Sequence, residues 1–418
     1  MKTFFLRLGA LSMLALSASL NSVHASSLIV LHAFHGGSDG SFPESSLIRD
    51  PAGNLYGTTN AGGGGPCNNG QGCGTVFKVL PDGTTTVLHA MNGTDGENLL
   101  SGLLRDGSNL YGTATFGGLN TCGGPTCGTV FKIAGDGTFT GLHDFSGYPT
   151  DGAQPLGALL KSASGIFFGV TQRGGGSQSC SSNLGCGTIF EINKYGPEAV
   201  RYHFLGGADG ISPMGPMVSD SSGNLYGVTQ SGGNSDCQCS GTIWKFAPDG
   251  THTVLYSFSG GSDGSTPNSG LISDSAGNLY GVTAFAGNLS CSNGLGCGTV
   301  FKLAMDGTLN VLHQFSAGSD GKFPAGILAI DKKGNIFGET SSGGGNGCSG
   351  NGCGTLFEIT PTGLYGVVYN FSGLSDGSSP SGGLIKGKGK VLYGVTTVGG
   401  DSTCNDGGGC GTVFKFTR

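Results

Sequence analysis

Charge is scarce in this chain. Asp, Glu, Lys and Arg make up 11% of the 418 residues, the formal net charge is −6, and Lys and Arg are nowhere gathered into a stripe. That excludes the electrostatic footprint of a nucleic-acid-binding surface. Beyond residue 25 no segment is apolar for long enough to span a bilayer, so no membrane insertion is expected of the mature chain. Gly-x-Ser-x-Gly, His-Glu-x-x-His, a phosphate loop and a Cys/His dyad are all missing. Glycine is the opposite case, with 86 residues, roughly three times average usage. It does not recur at every third position, which excludes collagen. Short alternating runs of Leu, Ile, Val and Phe separate the glycine clusters, which excludes disorder and points to strands joined by tight turns.

Residues 1–25 read as a secretory signal. Lys2 and Arg7 supply a positive start, Leu8 to Leu20 an apolar stretch too short and interrupted for a good membrane span, and Val23-His24-Ala25 a cleavage site before Ser26. No Cys follows that site, so no lipid attachment is expected there. Loss of Lys2 and Arg7 takes the net charge from −6 to −8. Residues 26–418 are expected to form one exported domain.

The dominant signal is a repeat. Gly72-Cys73-Gly74-Thr75-Val76-Phe77-Lys78 has close copies at Gly128-Thr129, Gly187-Thr188, Gly241-Thr242, Gly298-Thr299, Gly354-Thr355 and Gly411-Thr412, with glycines 54, 59, 54, 57, 56 and 57 residues apart. A period of that size marks a repeat architecture. Each unit reads as four short antiparallel strands, in the first copy Leu47–Asp50, Asn54–Thr59, Gly74–Val79 and Thr85–His89. Four-stranded units repeated radially are propeller blades. The chain begins with a lone fourth strand, Leu28 to Phe34, and ends on a third strand, Gly411 to Phe416. An all-β, seven-bladed β-propeller is therefore predicted, its last blade completed by the N-terminal strand, which removes the open edges of a linear array. Small residues two places beyond each unit's proline (Ser45, Gly157, Gly215, Ser269, Gly326 and Gly382, with Ser101 in the unit lacking proline) are expected to let seven inner strands crowd the axis.

Fourteen cysteines form seven local pairs, Cys67/Cys73, Cys122/Cys127, Cys180/Cys186, Cys237/Cys239, Cys291/Cys297, Cys348/Cys353 and Cys404/Cys410. In an exported chain disulfides are the default, each worth roughly 2 kcal/mol for so small a ring. The expected gain is local, keeping a glycine-rich loop from wandering. Zinc would want two-residue spacings and nearby histidines. No metal and no cofactor are expected. Cys237-Gln238-Cys239 would close an unusually small ring, read as a shortened loop that still oxidises rather than a labile redox pair.

Alternation of strand direction puts the cysteine loops and the Ser-Asp-Gly loops on one face, where long loops favour binding. Departures from the repeat there are the candidate ligand-binding residues: Glu44 and Asn268 one place after the proline, and Asn60, Phe116, Gln172, Arg173, Gln230 and Phe285 just after the second strand. A mixture of amide, Arg and aromatic side chains suits a glycan or peptide. The recurrent loop aspartates (Asp39, Asp95, Asp151, Asp209, Asp263, Asp320, Asp376) lack the dense ligand supply of a calcium loop and read as turn formers. His and Tyr alternate freely at one place in the fourth strand (His32, His89, His143, Tyr202, Tyr256, His313, Tyr369), as a structural hydrogen bond allows and a general base does not. Glu44, Glu97 and Glu339 are off-pattern carboxylates that would do glycosidase-type chemistry only if two converged.

The unit Asp-x-x-Gly-Asn-Leu-Tyr-Gly-Val-Thr, Gly-Gly, a Cys pair, Cys-Gly-Thr-Val-Phe-Lys-Leu, Asp-Gly-Thr and Val-Leu-His-x-Phe, clearest in Asp274–Thr283, Cys297–Leu303 and Val311–Phe315, resembles the GloVer tandem repeat of bacterial choice-of-anchor proteins. The resemblance covers nearly all of Leu28 to Phe416. It implies an exported bacterial protein with propeller-like repeats and carries over no catalytic residues. Such proteins often end in a surface anchor. This chain stops at Arg418, so secretion or periplasmic residence is expected. The functional expectation is a monomeric binding or scaffold module for a glycan, peptide or cell-surface partner. The alternatives are a propeller hydrolase or lyase acting on polysaccharide, and a purely structural envelope protein.

Overall fold

The computed structural model describes residues 26–180, 184–196, 198–233, 240–345 and 347–418. The expected signal and the Cys237/Cys239 pair lie outside them. Seven antiparallel sheets, with no α-helix among the described residues, form the ring of a seven-bladed β-propeller. No described helix is long and apolar enough to cross a membrane.

Blade 1 consists of Ile48–Arg49, Leu55–Thr59, Thr75–Val79 and Thr85–Ala90, ordered from the axis outward. Blades 2 to 6 repeat the pattern over residues 104–144, 152–203, 211–257, 265–314 and 322–370. Blade 7 takes Ile385–Lys386, Val391–Val398 and Thr412–Thr417 from the end of the chain and Ser27–Ala33 from its start, with Ser27 opposite Thr417 and Ala33 opposite Thr412. The predicted closure is therefore present, and it pairs the strand edges that a linear array would leave open.

Period-two alternation sends one side of each sheet to each neighbour, so the core lies between blades. Phe77, Phe131, Phe190, Trp244, Phe301, Phe357 and Phe414 on the third strands are all 0% exposed. Burying such a ring stabilises by roughly 1.5–3 kcal/mol. Most meet the last ring of the preceding blade edge-on, as in Phe34–Phe77 and Phe145–Phe190, both with centroids 5.1 Å apart. The glycine of the second strand makes room for that ring within its own blade: a Cβ on Gly57 would lie 2.6 Å from Phe77 Cζ.

The Cys-Gly-Thr repeat does more than hold a loop. Its first carbonyl accepts the N–H of the residue before the proline position in the next blade. Phe42 donates to Cys410 at 2.9 Å, Gln154 to Cys127 at 2.7 Å, Ser212 to Cys186 at 2.9 Å, Phe323 to Cys297 at 2.9 Å and Ser379 to Cys353 at 2.9 Å. All seven junctions carry this bond, and the donor always has positive φ, from 54° to 58°. Because a carbonyl carries the bond, Ser240 serves as well as Cys, accepting from Thr266 at 3.0 Å. The glycine carbonyl accepts from the outer strand of its own blade, as in Phe145 N to Gly128 O at 3.0 Å. The threonine hydroxyl meets that of the second strand, as in Thr59–Thr75 at 2.8 Å. Glycine itself is required by positive φ and by the next blade's proline. A Cβ on Gly128 (φ +92°) would lie 2.5 Å from Ala114 O and 2.6 Å from Pro155 Cδ.

Candidate functional site

Six of the seven expected disulfides lie within the described residues and are formed: Cys67–Cys73, Cys122–Cys127, Cys180–Cys186, Cys291–Cys297, Cys348–Cys353 and Cys404–Cys410. Besides closing its own loop, each disulfide is placed against the core by its second cysteine. Cys186 is 0% exposed and belongs to the apolar core with Phe204 and Trp244. Cys353 is 2% exposed and belongs to the core with Phe371 and Phe414. Neither is therefore a surface residue of the loop face. The reason is that the second cysteine leads directly into the buried third strand, so its sulfur is drawn into the space between blades. There the disulfide also abuts the loop that enters the next blade. A Cβ on Gly206 would lie 3.1 Å from the Sγ of both Cys180 and Cys186, and one on Gly373 would lie 2.6 Å from Cys353 Sγ.

The cysteine loops are further tied to the loops entering each blade by backbone hydrogen bonds, such as Gly63 N to Gly37 O and Gly118 N to Gly93 O. Both kinds of loop thus occupy one face. Each loop aspartate is paired with the His or Tyr of the preceding outer strand, as in His89 Nε2–Asp95 at 2.8 Å and Tyr256 Oη–Asp263 at 3.0 Å. It also accepts a backbone N–H, as Asp263 does from Ser259 at 2.7 Å. The two recurrent features of the sequence are each other's partners, and they brace these loops.

On the axis the inner strands approach until only small residues fit. A Cβ on Gly157 would be 2.4 Å from Gly215 O, and one on Gly326 would be 2.1 Å from Gly383 N. They leave a cavity of about 150 Å³ to which every blade contributes, lined by Ser45, Ser101, Gly157, Gly215, Ser269, Gly326 and Gly382 among others. Glu44 and Asn268, both expected near the mouth, line it together with Leu100, Leu156, Met214 and Ser381. Burial pushes the Glu44 carboxyl above its usual range, and a hydrogen bond from Asn60 partly offsets the shift. Asn60 Oδ1 and Asn268 Oδ1 are buried without a hydrogen-bond partner.

Strand alternation divides the remaining sequence candidates. Asn60, Gln172 and Gln230 share the phase that turns inward: Asn60 reaches Glu44, and Gln172 Nε2 lies 3.5 Å from Gln230 Oε1 in the next blade. Phe116, Arg173 and Phe285 occupy the opposite phase, cross-strand from Glu97, Ala153 and Ser265. Phe285 packs on Phe323 of the next blade with centroids 5.6 Å apart.

Of the three off-pattern carboxylates, only Glu44 lines the cavity. Glu97 pairs through its backbone with Phe116 on an entering loop. Glu339 is 0% exposed in the second strand of blade 6, where other blades have Val or Thr. Its Oε1 accepts from Gly383 N and its Oε2 has no partner, and burial pushes its pKa up to about 8. The cavity lining thus offers one carboxyl, whereas glycosidase chemistry calls for a facing pair. One residue that sequence reasoning passed over is Glu198, the first residue of an outer strand. The signal was available: its counterparts Thr85, Phe139, Leu309 and Tyr365 carry no charge.

Fold and axial mouth define the class: a disulfide-stapled, seven-bladed propeller with a small cavity on its axis. The chain belongs to the Gloeobacter/Verrucomicrobia repeat family, whose model matches residues 19–181 and 177–414. No curated protein matches it. Among solved structures it is similar to virginiamycin B lyase from Staphylococcus aureus, at 12% identity and a TM-score of 0.56, over 94% of this chain and 99% of that one. It is also similar to the extracellular domain of a protein named as a hybrid two-component system from B. thetaiotaomicron, at 14% identity and a TM-score of 0.54, over 94% of this chain and 42% of that one. At such identities the likeness is one of fold alone.

Proposed function

We propose that this protein is an exported binding module that takes the end of a glycan into the axial mouth of its disulfide-bearing face. The observation that carries the reading is a set of acceptors around that mouth: Glu44 and Asn268 line the cavity, Asn60 hydrogen-bonds Glu44, and the amide oxygens of Asn60 and Asn268 are buried without hydrogen-bond partners. Buried acceptors left unpaired cost roughly 1–3 kcal/mol each, and sugar hydroxyls are suitable donors. Leu100, Leu156 and Met214 give the same cavity an apolar side, which suits the C–H faces of a sugar ring. The cavity has room for about five waters, so it admits one terminal group while the surrounding loops carry the rest. Disulfides in repeat after repeat fit an oxidising compartment, either the periplasm or the exterior.

The test is a glycan array probed with the oxidised protein, with a peptide array as the competing arm. Glu44→Gln and Asn268→Ala are each expected to weaken glycan binding about tenfold, the equivalent of one hydrogen bond. Binding to peptides alone, or glycan binding that both substitutions leave unchanged, would refute the reading.

A further inference from the structure

At four junctions an outer strand begins with a residue laid against the preceding blade's His or Tyr. Where that residue is a ring, it adds packing. Phe139 stacks on His89 with centroids 4.1 Å apart, His252 on Tyr202 at 4.3 Å, and Tyr365 on His313 at 3.6 Å. At the junction of blades 2 and 3 the residue is Glu198. Its side chain is only 7% exposed, its Oε2 lies 3.9 Å from His143 Nε2, and its Oε1 is buried with no hydrogen-bond partner. His143 Nε2 is in turn 3.2 Å from Asp151 Oδ2. Ligand atoms from His143, Asp151 and Glu198 all lie within 4.8 Å of one another. Compared with a ring, Glu198 gives up stacking and leaves an acceptor unpaired, which makes no sense as packing.

We infer that His143, Asp151 and Glu198 form a site for a divalent transition-metal ion of the zinc class, clipping blade 2 to blade 3. One imidazole and two carboxylates are a zinc-type donor set, whereas calcium and magnesium favour oxygen donors. Bonds of 2.0–2.2 Å in a tetrahedron place neighbouring ligand atoms about 3.4 Å apart, and the observed 3.2 and 3.9 Å bracket that edge. The carboxylate of Asp151 is already held. Its Oδ2 accepts from Ser146 N at 2.7 Å and Ser146 Oγ at 3.1 Å, and its Oδ1 from Gly152 N at 2.6 Å. Such outer partners orient a ligand before the ion arrives. The metal takes the place of the Nε2 proton, and the three protein donors leave a fourth position for water or a partner's donor group. The junction of blades 3 and 4 is an internal contrast. There His252 Nδ1 lies 3.0 Å from Asp209 Oδ1, and the outer-strand residue is the phenol Tyr202.

The test uses the oxidised full chain after chelator treatment, titrated with Zn²⁺ alone by calorimetry and with Co²⁺ alone by visible absorption. The wild type is expected to bind one equivalent, to show a tetrahedral Co²⁺ spectrum and to melt at a higher temperature with zinc than without. Glu198→Leu, which installs the residue of blade 5 (Leu309), is expected to lose more than the roughly 10- to 100-fold in affinity that an outer-shell change costs. Without metal it should melt no lower than the wild type. Glu198→Gln keeps the shape and carries the same affinity test if the leucine variant does not fold. An ion at the exposed His35, 3.2 Å from Asp39 and 3.5 Å from Asp401, would survive in both variants. No binding, or equal binding by the wild type and the variants, would overturn the site.

Discussion

The junction of blades 2 and 3 and that of blades 5 and 6 share nearly every part. Each has a His–Asp pair, His143–Asp151 at 3.2 Å and His313–Asp320 at 3.3 Å. Each has an edge-on ring contact, Phe145–Phe190 and Phe315–Phe357. Each has the same backbone latch, Gln154 to Cys127 and Phe323 to Cys297. They differ in the residue that covers the histidine, Glu198 in one and Tyr365 in the other. Burial lowers the His143 pKa, but the hydrogen bond and charge of Asp151, together with the Glu198 charge, outweigh it, and the net shift is upward. Under the stacked Tyr365, burial wins over Asp320 and the His313 pKa falls. Radial repetition thus holds the framework constant while the charged groups around the histidine, Glu198 and Asp144 beside His143 and neither of them beside His313, set the direction of its shift.

The largest effect should come from the part the junctions share. Gly128→Val and Gly298→Val each force a side chain into a positive-φ position, 2.5 Å from Ala114 O and 2.3 Å from Thr283 O respectively. Each is expected to cost more than about 4 kcal/mol or to prevent folding. Chemical denaturation of both checks this, and tolerance at one site alone would break the equivalence of the latches. Next comes a transplant. Tyr365→Glu should cost somewhat less than the roughly 3–5 kcal/mol of a fully buried ring, since Tyr365 is half-buried where it stacks on His313, and should reverse the direction of the His313 shift. A variant that keeps its stability would show that the cover does not carry the difference.

Glu339 shows what a buried carboxyl does at the axis, away from any histidine partner. Its pKa stands at about 8 in the fold, above the ordinary value near 4.3. Its contribution to stability is full below the unfolded pKa and is lost as pH rises through about 8, a loss of a few kcal/mol. Glu339→Val, which restores the residue of four other blades, should flatten that part of the stability–pH curve between pH 5 and about 9. An unchanged curve would place the ionisation elsewhere. The smallest signal is spectroscopic. In chelator-treated protein, NMR titration should find His143 with a midpoint above the unperturbed value and His313 with one below it. The opposite order would overturn the assignment of covers.

Much of this was legible along the chain. The spacing of the Gly-Thr pairs, the strand left over at each end and the seven local cysteine pairs led to blade number, closure and cross-links. The aspartates and the His/Tyr positions were each visible as recurrences. Their mutual hydrogen bond was not, because nothing in spacing alone says which polar groups face each other across a loop. Nor did spacing say that Cys186 and Cys353 would be core residues as well as cross-links, since burial between blades depends on the neighbouring sheet. The latch was hidden more thoroughly. Backbone hydrogen bonds leave no side-chain signature, although the harmless exchange of Cys for Ser240 was a trace of one.

What the sequence by itself determined is strand period, turn chemistry, blade number and ring closure, since these depend on neighbours in the chain or on copies of one unit. What only the tertiary structure decided is convergence. Glu44 meets Asn60 and shares the axial cavity with Asn268, and Glu198 meets a histidine 55 positions earlier in the chain. Such meetings depend on the angle at which one blade is set against the next. That angle comes from rings, glycines and carbonyls packed between blades, so it is a property of the closed ring and not of any single repeat.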